Sequence, residues 1–263
     1  MADKYLFFTD LHLDKVLPWD KVSFIRNIIK ENPKGIIITG DISSYRVTPL
    51  DLKLLTTFIK CPIYFVDGNH DYYLSSFEEM NKKISKLCDK NPRLIHLDES
   101  DFIPLTKDVA LIGHMGWGDV SASGPEILRA TIDWIFIKEL RELTSMKQRL
   151  KVFHKLADES CHNIEEKLVK CLDLGYKTIY IATHFPPYKE ATNHIGTFFE
   201  KYWLSFNVNA RLGKTISRIM GAYKGQNVII LCGHSHIPMN IDISDNIECC
   251  VGDAGLIPKE ILL

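Results

Sequence analysis

Five short apolar runs in this chain each lead directly into side chains able to bind a metal. YLFFT (5–9) precedes Asp10 and His12, and GIIIT (35–39) precedes Gly40-Asp41. PIYFV (62–66) precedes GNHD (68–71), TIYIAT (178–183) precedes His184, and NVIILC (227–232) precedes Gly233 and His234-Ser235-His236. Runs this short, rich in β-branched and aromatic residues and apolar on both faces, read as strands buried from both sides. Helical patterns fall between them: 20–31, Thr48 to about Lys60 with Pro49 and Asp51 in the first turn, and Ser75 or Ser76 to Cys88, each serine having a glutamate three residues on. The β-α-β-α-β-α order argues an α/β fold with a parallel-containing sheet covered by helices. In such sheets ligands bind beyond the carboxyl ends of the strands, so the five polar groups can meet in one cleft.

The rest of the chain fits one domain, 1–263, with two insertions. VALIG (109–113) is a further strand, and PMNIDI and NIECCVG flank a hairpin turn at Ser244-Asp245-Asn246. Residues 125–174 tolerate helix nearly throughout, broken only at Thr144-Ser145, and read as one or two long helices standing off the body. Their mixed charges suit either a solvated face or a contact surface for an oligomer or a protein partner. The second insertion, 189–226, holds the aromatic FFEKYW and a helix beginning after Asn209.

A chain of 263 residues buries roughly 70–75% of its unfolded surface and needs no metal merely to have a core. Lys and Arg number 32 against 33 Asp and Glu, so nothing supports an extended nucleic-acid track. Seven cysteines without a Cys-x-x-Cys pair favour a reducing cytoplasm. No apolar stretch is long enough to span a membrane, and the N-terminal run is too short for a signal peptide.

In extended chain, residues i and i+2 point the same way, which would aim Asp10 with His12 and His234 with His236 at one ion. Gly40, Gly68 and Gly233 immediately precede these groups, where tight turns or close backbone approach are needed. Imidazole, carboxylate and carboxamide donors without thiolate suit manganese, iron or zinc. They suffice for two ions sharing one carboxylate, a pair that can activate water and stabilise both oxygens of a phosphoryl displacement. Singly, each group has a structural use: Asp41 as a turn cap, Asn69 and Asp71 as an Asx-turn pair, His184 as a packed loop histidine. Five strand ends acquiring such groups independently is the less economical reading.

The ordered set DLH (10–12), GD (40–41), GNHD (68–71), His184 and GHSH (233–236) resembles the calcineurin-like metallophosphoesterases over nearly the whole chain. The resemblance implies a four-layer fold, a two-sheet mixed β-sandwich flanked by helices, in place of a single sheet. It implies one metal held by Asp10, His12, Asp41 and His236, a second by Asp41, Asn69, His184 and His234, and Asp41 as the bridge. The ions would be two divalent or mixed-valence transition metals, manganese first, with iron or zinc as alternatives. His70 would stand outside the coordination, contact the phosphoryl group and assist the leaving oxygen, with Asp71 either orienting it or capping a turn. GDISSYR lacks the Gly-Asp-x-x-Asp-Arg-Gly of the family's protein phosphatases, which leaves Arg46 as a phosphate contact or a surface residue. The pattern looks more like the cyclic-nucleotide and small-molecule phosphodiesterases, including HFPP at 184–187, although that branch often has an acidic residue near Ser44. The expected function is hydrolysis of a small, nucleotide-like phosphodiester. A phosphomonoesterase, a nuclease and a non-catalytic metal-bound partner-binding protein are the alternatives. Candidate substrate contacts are Asn69, His114 and Trp117 in GHMGWGD, and Tyr188, Asn193 and His194; Trp117 either packs in the core or is presented by a mobile loop.

Overall fold

The apolar runs become β1 (Lys4–Phe8), β2 (Gly35–Thr39), β3 (Ile63–Val66), β6 (Val109–Gly113), β7 (Thr178–Ala182) and β8 (Asn227–Cys232). The structure is a computed structural model and describes residues 2–44, 46–120, 131–192, 204 and 207–263. Strands β1 to β3 and β4 (Leu94–His96) run parallel, with β11 (Lys259–Leu262) antiparallel against β1, in the order β11-β1-β2-β3-β4. A second sheet, ordered β5-β6-β7-β8-β10-β9, adds β5 (Ile103–Pro104), β9 (Met239–Ser244) and β10 (Ile247–Val251); its antiparallel pairs lie at the two edges. The β9–β10 hairpin turns at Asp245-Asn246, as the sequence indicates.

Burial on both faces explains the unbroken apolar runs. Tyr5, Phe7, Ile37 and Val66 of the first sheet meet Leu111, Tyr180, Leu231 and Cys250 of the second. Their neighbours Leu6, Phe8, Ile36, Ile38 and Phe65 face outward, onto α1 (Pro18–Glu31), α2 (Thr48–Phe58) and α3 (Phe77–Asp89) through Phe24, Ile28, Leu52, Leu55, Met80 and Ile84. Ile112, Ile179, Ile181 and Ile230 likewise pack beneath α6 (Met146–Asp173) and α7 (Ala210–Ala222). The layers run helix, sheet, sheet, helix. Each such side chain taken from water is worth about 1.5–3 kcal/mol.

The helix starts follow local chemistry. Ser76, Ser145 and Asn209 accept from backbone N–H groups of the first turns of α3, α6 and α7, and Ser145 with Gln148 forms a complete capping box. Thr48 is not a cap: Val47 takes that place, and the Thr48 hydroxyl donates to Asp71 Oδ1 at 2.7 Å. Two helical turns, α4 (Asp133–Phe136) and α5 (Lys138–Arg141), precede α6. The 28-residue α6 does not stand off the body, because its apolar stripe has two surfaces to cover: Phe153 and Ala157 near its start, Ile164, Leu168 and Cys171 further on, are buried. Its outward face carries the pairs Lys155–Glu159 and His162–Glu166, a solvated surface. Among the described residues, no helix is long and apolar enough to cross a membrane.

Candidate metal centre

The loops after β1, β2 and β8 share an uncommon backbone. Asp10, His12, Asp41, His234 and His236 all have positive φ, between 42° and 64°. Side chains with a Cβ rarely adopt this left-handed conformation, and such strain concentrates at sites where a function needs it. Convergence of Asp10 with His12 and of His234 with His236 therefore comes from left-handed turns, not from strand alternation as the i, i+2 spacing suggests. The turns are held by Asp10 N to Gly40 O and His12 N to Asp41 O, at 3.1 and 2.9 Å. Gly68 serves close approach: a Cβ there would sit 2.2 Å from Asp41 Oδ1.

Two groups of donors result. Asp10, His12, Asp41 and His236 offer ligand atoms all within 4.8 Å of one another, as do Asp41, His184 and His234. Asp41 belongs to both, with Oδ2 3.8 Å from His12 Nε2 and Oδ1 3.4 Å from His184 Nε2. Asn69 joins the second group, its Oδ1 lying 3.2 Å from His184 Nε2. The first group opens to solvent at His236, whereas His184 is fully buried.

The electrostatics ask for cations. Burial, then the charges of Asp10 and Asp71, push the Asp41 carboxyl well above its ordinary value. Asp10 is driven up by burial but held lower overall by its hydrogen bond with His236 and the nearby charges of His184 and His236. His236 is raised by that same hydrogen bond. Burial lowers His12 to about 4, with Lys15 adding to the effect, and burial also lowers His184 and His234. Buried carboxylates among neutral imidazoles are what a divalent ion stabilises.

The second group tests that fit most sharply. His184 Nδ1 donates to Thr39 O at 2.8 Å, leaving a lone pair on Nε2. His234 Nε2 lies against Asn207 Oδ1, an acceptor, which puts the proton there and a lone pair on Nδ1. These two lone pairs face each other across 3.0 Å. Two neutral acceptors repel at this distance unless a cation lies between them, and the outer hydrogen bonds are those that orient metal-bound histidines.

His70 stands beside the donor groups: its Nε2 is 3.9 Å from Asp41 Oδ2 and its Nδ1 is 3.3 Å from Ser44 Oγ. Burial, with the adjacent His12, lowers its pKa to about 3. Asp71 does not orient His70; it accepts from Ser43 N, Gly68 N and the Thr48 hydroxyl, which is the turn-capping role. Arg46 is a surface residue tied to Leu74 O and Glu79. Trp117 is 1% exposed among Phe77, Phe153 and Phe185, so packing, not presentation to substrate, accounts for it. His114 is directed to Asp98, with Nε2 3.7 Å from Oδ2, and Tyr188 is tied to α7 by Gly213 O and Ser217, so neither is turned to the donor groups. Asn193 and His194 lie outside the described residues. The sequence reading misses Ser44, Asn207, Tyr73 and Asp133 as groups that touch the site. Ser44, three residues past Asp41, and Tyr73, two past Asp71, lie beside the motifs; Asn207 and Asp133 arrive from distant segments.

A family model described as Calcineurin-like phosphoesterase matches residues 4–238. No curated protein sequence matches. Among solved structures, a phosphopantetheinyl hydrolase from Mycobacterium tuberculosis superposes with a TM-score of 0.68 at 14% identity, covering 97% of this chain and 90% of that one. A dimetal phosphatase from Danio rerio superposes with a TM-score of 0.58 at 12% identity, covering 97% and 88%. At these identities the likeness shows a shared fold.

Proposed function

The chain belongs to the calcineurin-like phosphoesterase family and is a metal-dependent phosphoesterase, and from that premise we propose that it hydrolyses a small, nucleotide-like phosphodiester. In this reading Asp10, His12, Asp41 and His236 hold one divalent ion, Asp41, Asn69, His184 and His234 the other, and residues 1–263 act as one domain. The observation that carries it is the 3.0 Å approach of His184 Nε2 to His234 Nδ1, with an oxygen against the other ring nitrogen of each. Manganese leads iron and zinc because the donors mix imidazole with hard oxygen and include no thiolate. Seven free cysteines support a cytoplasmic setting.

When bound, two such ions neutralise phosphoryl oxygens and lower the pKa of a water. The protein's own groups do the rest. Asp41 directs one oxygen at each donor group, so it fixes their separation. Ser44 donates to His70 Nδ1 and thereby keeps the proton on Nε2, the nitrogen turned toward Asp41. With its low pKa, His70 enters the reaction neutral, and its Nε2–H donates a hydrogen bond to the phosphoryl or leaving oxygen as charge develops, keeping its proton. A diester is favoured because Arg46, which could have matched the second charge of a monoester, is engaged by Leu74 O and Glu79.

Elemental analysis and a screen of matched aryl monoesters, aryl diesters and nucleotides, with manganese supplied, test this reading. We expect two ions per chain and faster turnover of diesters. Hydrolysis confined to monoesters would replace the substrate class, and a chain binding no metal would end the reading.

A further inference from the structure

Asp133 lies on α4, far in sequence from every group discussed above, yet it is buried beneath one of them. Its Oδ1 accepts from Asn69 Nδ2 at 2.9 Å and from the Tyr73 hydroxyl at 2.8 Å. Its Oδ2 accepts from the Thr131 hydroxyl at 2.9 Å. Tyr73 closes the triangle, its oxygen accepting from Asn69 Nδ2 at 3.1 Å. The α4 segment is fastened to the turn bearing Asn69 and His70 by Leu74 N to Phe136 O at 2.8 Å and Lys138 N to Ser75 O at 2.9 Å. The Tyr73 ring sits between His70 and Phe136, with centroids at 4.3 and 5.3 Å.

A carboxamide can turn either end toward a neighbour, and only its oxygen can serve a cation. With an acceptor carboxylate behind it, Asn69 must direct its NH2 at Asp133 and its oxygen at His184. Flipping it would set its oxygen against the Asp133 carboxylate and its NH2 among the ion-binding atoms. Resting on the two-ion reading above, we propose that Asp133 is a positioning residue: it fixes the Asn69 carboxamide and so sets the affinity of the second, buried ion position, with Tyr73 relaying the same constraint to His70. Partners of this kind change metal affinity by about 10–100-fold.

Manganese titration of metal-stripped protein, by calorimetry, resolves the two positions. Asp133→Ala should weaken the second equivalent about 10–100-fold and leave the first unchanged. Asp133→Asn should restore most of that affinity, since its carbonyl can still accept from Asn69. Asn69→Ala should weaken the second equivalent by a similar factor, and adding Asp133→Ala to it should have no further effect, because the residue through which Asp133 acts is gone. Full additivity of the two substitutions, equal loss of both ions, or no loss in Asp133→Ala each overturns the proposal. Should Asp133→Ala not fold, side-chain amide exchange in the metal-free wild type decides: Asn69 NH2 protons exchanging as fast as exposed ones overturn it, and slowed exchange upholds it. A wild type that takes up no second ion removes the two-ion reading and the positioning role together. Two ions with turnover but additive substitutions remove the positioning role alone.

Discussion

Gly233→Ala tests the close packing behind the first donor group. A Cβ at Gly233 would lie 1.8 Å from Thr9 Oγ1 and 2.3 Å from Asp10 Oδ2, inside any possible contact distance. Thr9 cannot simply rotate away, because its hydroxyl donates to Asp10 Oδ2 at 2.6 Å and reaches Thr39 O at 3.1 Å in a fully buried place. Overpacking of this kind costs about 1–3 kcal/mol, and losing a hydrogen bond to a charged group about 1.5–3 kcal/mol. Together these give about 2.5–6 kcal/mol, and at about 2–4 °C per kcal/mol the melting temperature should fall by roughly 5–24 °C. Displacing Asp10 should also weaken the first manganese equivalent more than the second. Gly221→Ala is the control: it lies on α7, where an added Cβ would meet nothing within 4 Å, and should raise stability by about 0.5–1 kcal/mol. Scanning calorimetry and metal titration supply both readouts. A Gly233→Ala protein that melts and binds manganese like wild type would refute the argument.

Three further outcomes are expected. His70→Asn, compared at matched metal content, should keep both ions while turnover falls about 10²–10³-fold, most severely for substrates with poor alkoxide leaving groups; a uniform loss across leaving groups would make His70 a phosphate-binding group instead. Asp41→Asn should weaken both manganese equivalents, since each oxygen faces a different donor group; selective loss of one would deny it the bridging role. His96 is pushed down by burial but raised overall, to about 9, by the Asp67 and Asp98 carboxylates. Because that folded value lies above the unfolded 6.5, its contribution, on the order of 3 kcal/mol, is present below pH 6.5 and lost as pH rises through 9. Melting of metal-free protein across this range should show the fall, and His96→Gln should flatten it.

The strand ends are legible because each couples an abrupt change of polarity to a turn, and Ser76, Ser145 and Asn209 announce their helices by cap chemistry. The split into two sheets is not readable from periodicity, since strands buried on both faces look alike in either sheet; only the family resemblance supplies it. Strands β4, β5 and β11 are two to four residues long and fall below any pattern. The donor residues can be found from their types and order, yet the way they converge cannot, because nothing in Asp-x-His distinguishes left-handed turns from extended chain. Asp133 carries no signal at all: its meaning depends on a contact 64 residues away.

Helix α6 contributes Phe153, with Leu156 beside it, to the apolar cluster of the first sheet and Ile164, Leu168 and Cys171 to that of the second. A lever resting on both halves makes their unfolding cooperative: neither cluster can open at that helix without exposing part of the other. Amide exchange along Phe153–Cys171 should therefore proceed at one common, slow rate under conditions that report global opening, rather than splitting into an early and a late half. The same lever means that a disturbance near the start of the helix, where Phe153 meets Trp117 and Trp134, is felt as lost stability in the distant sheet.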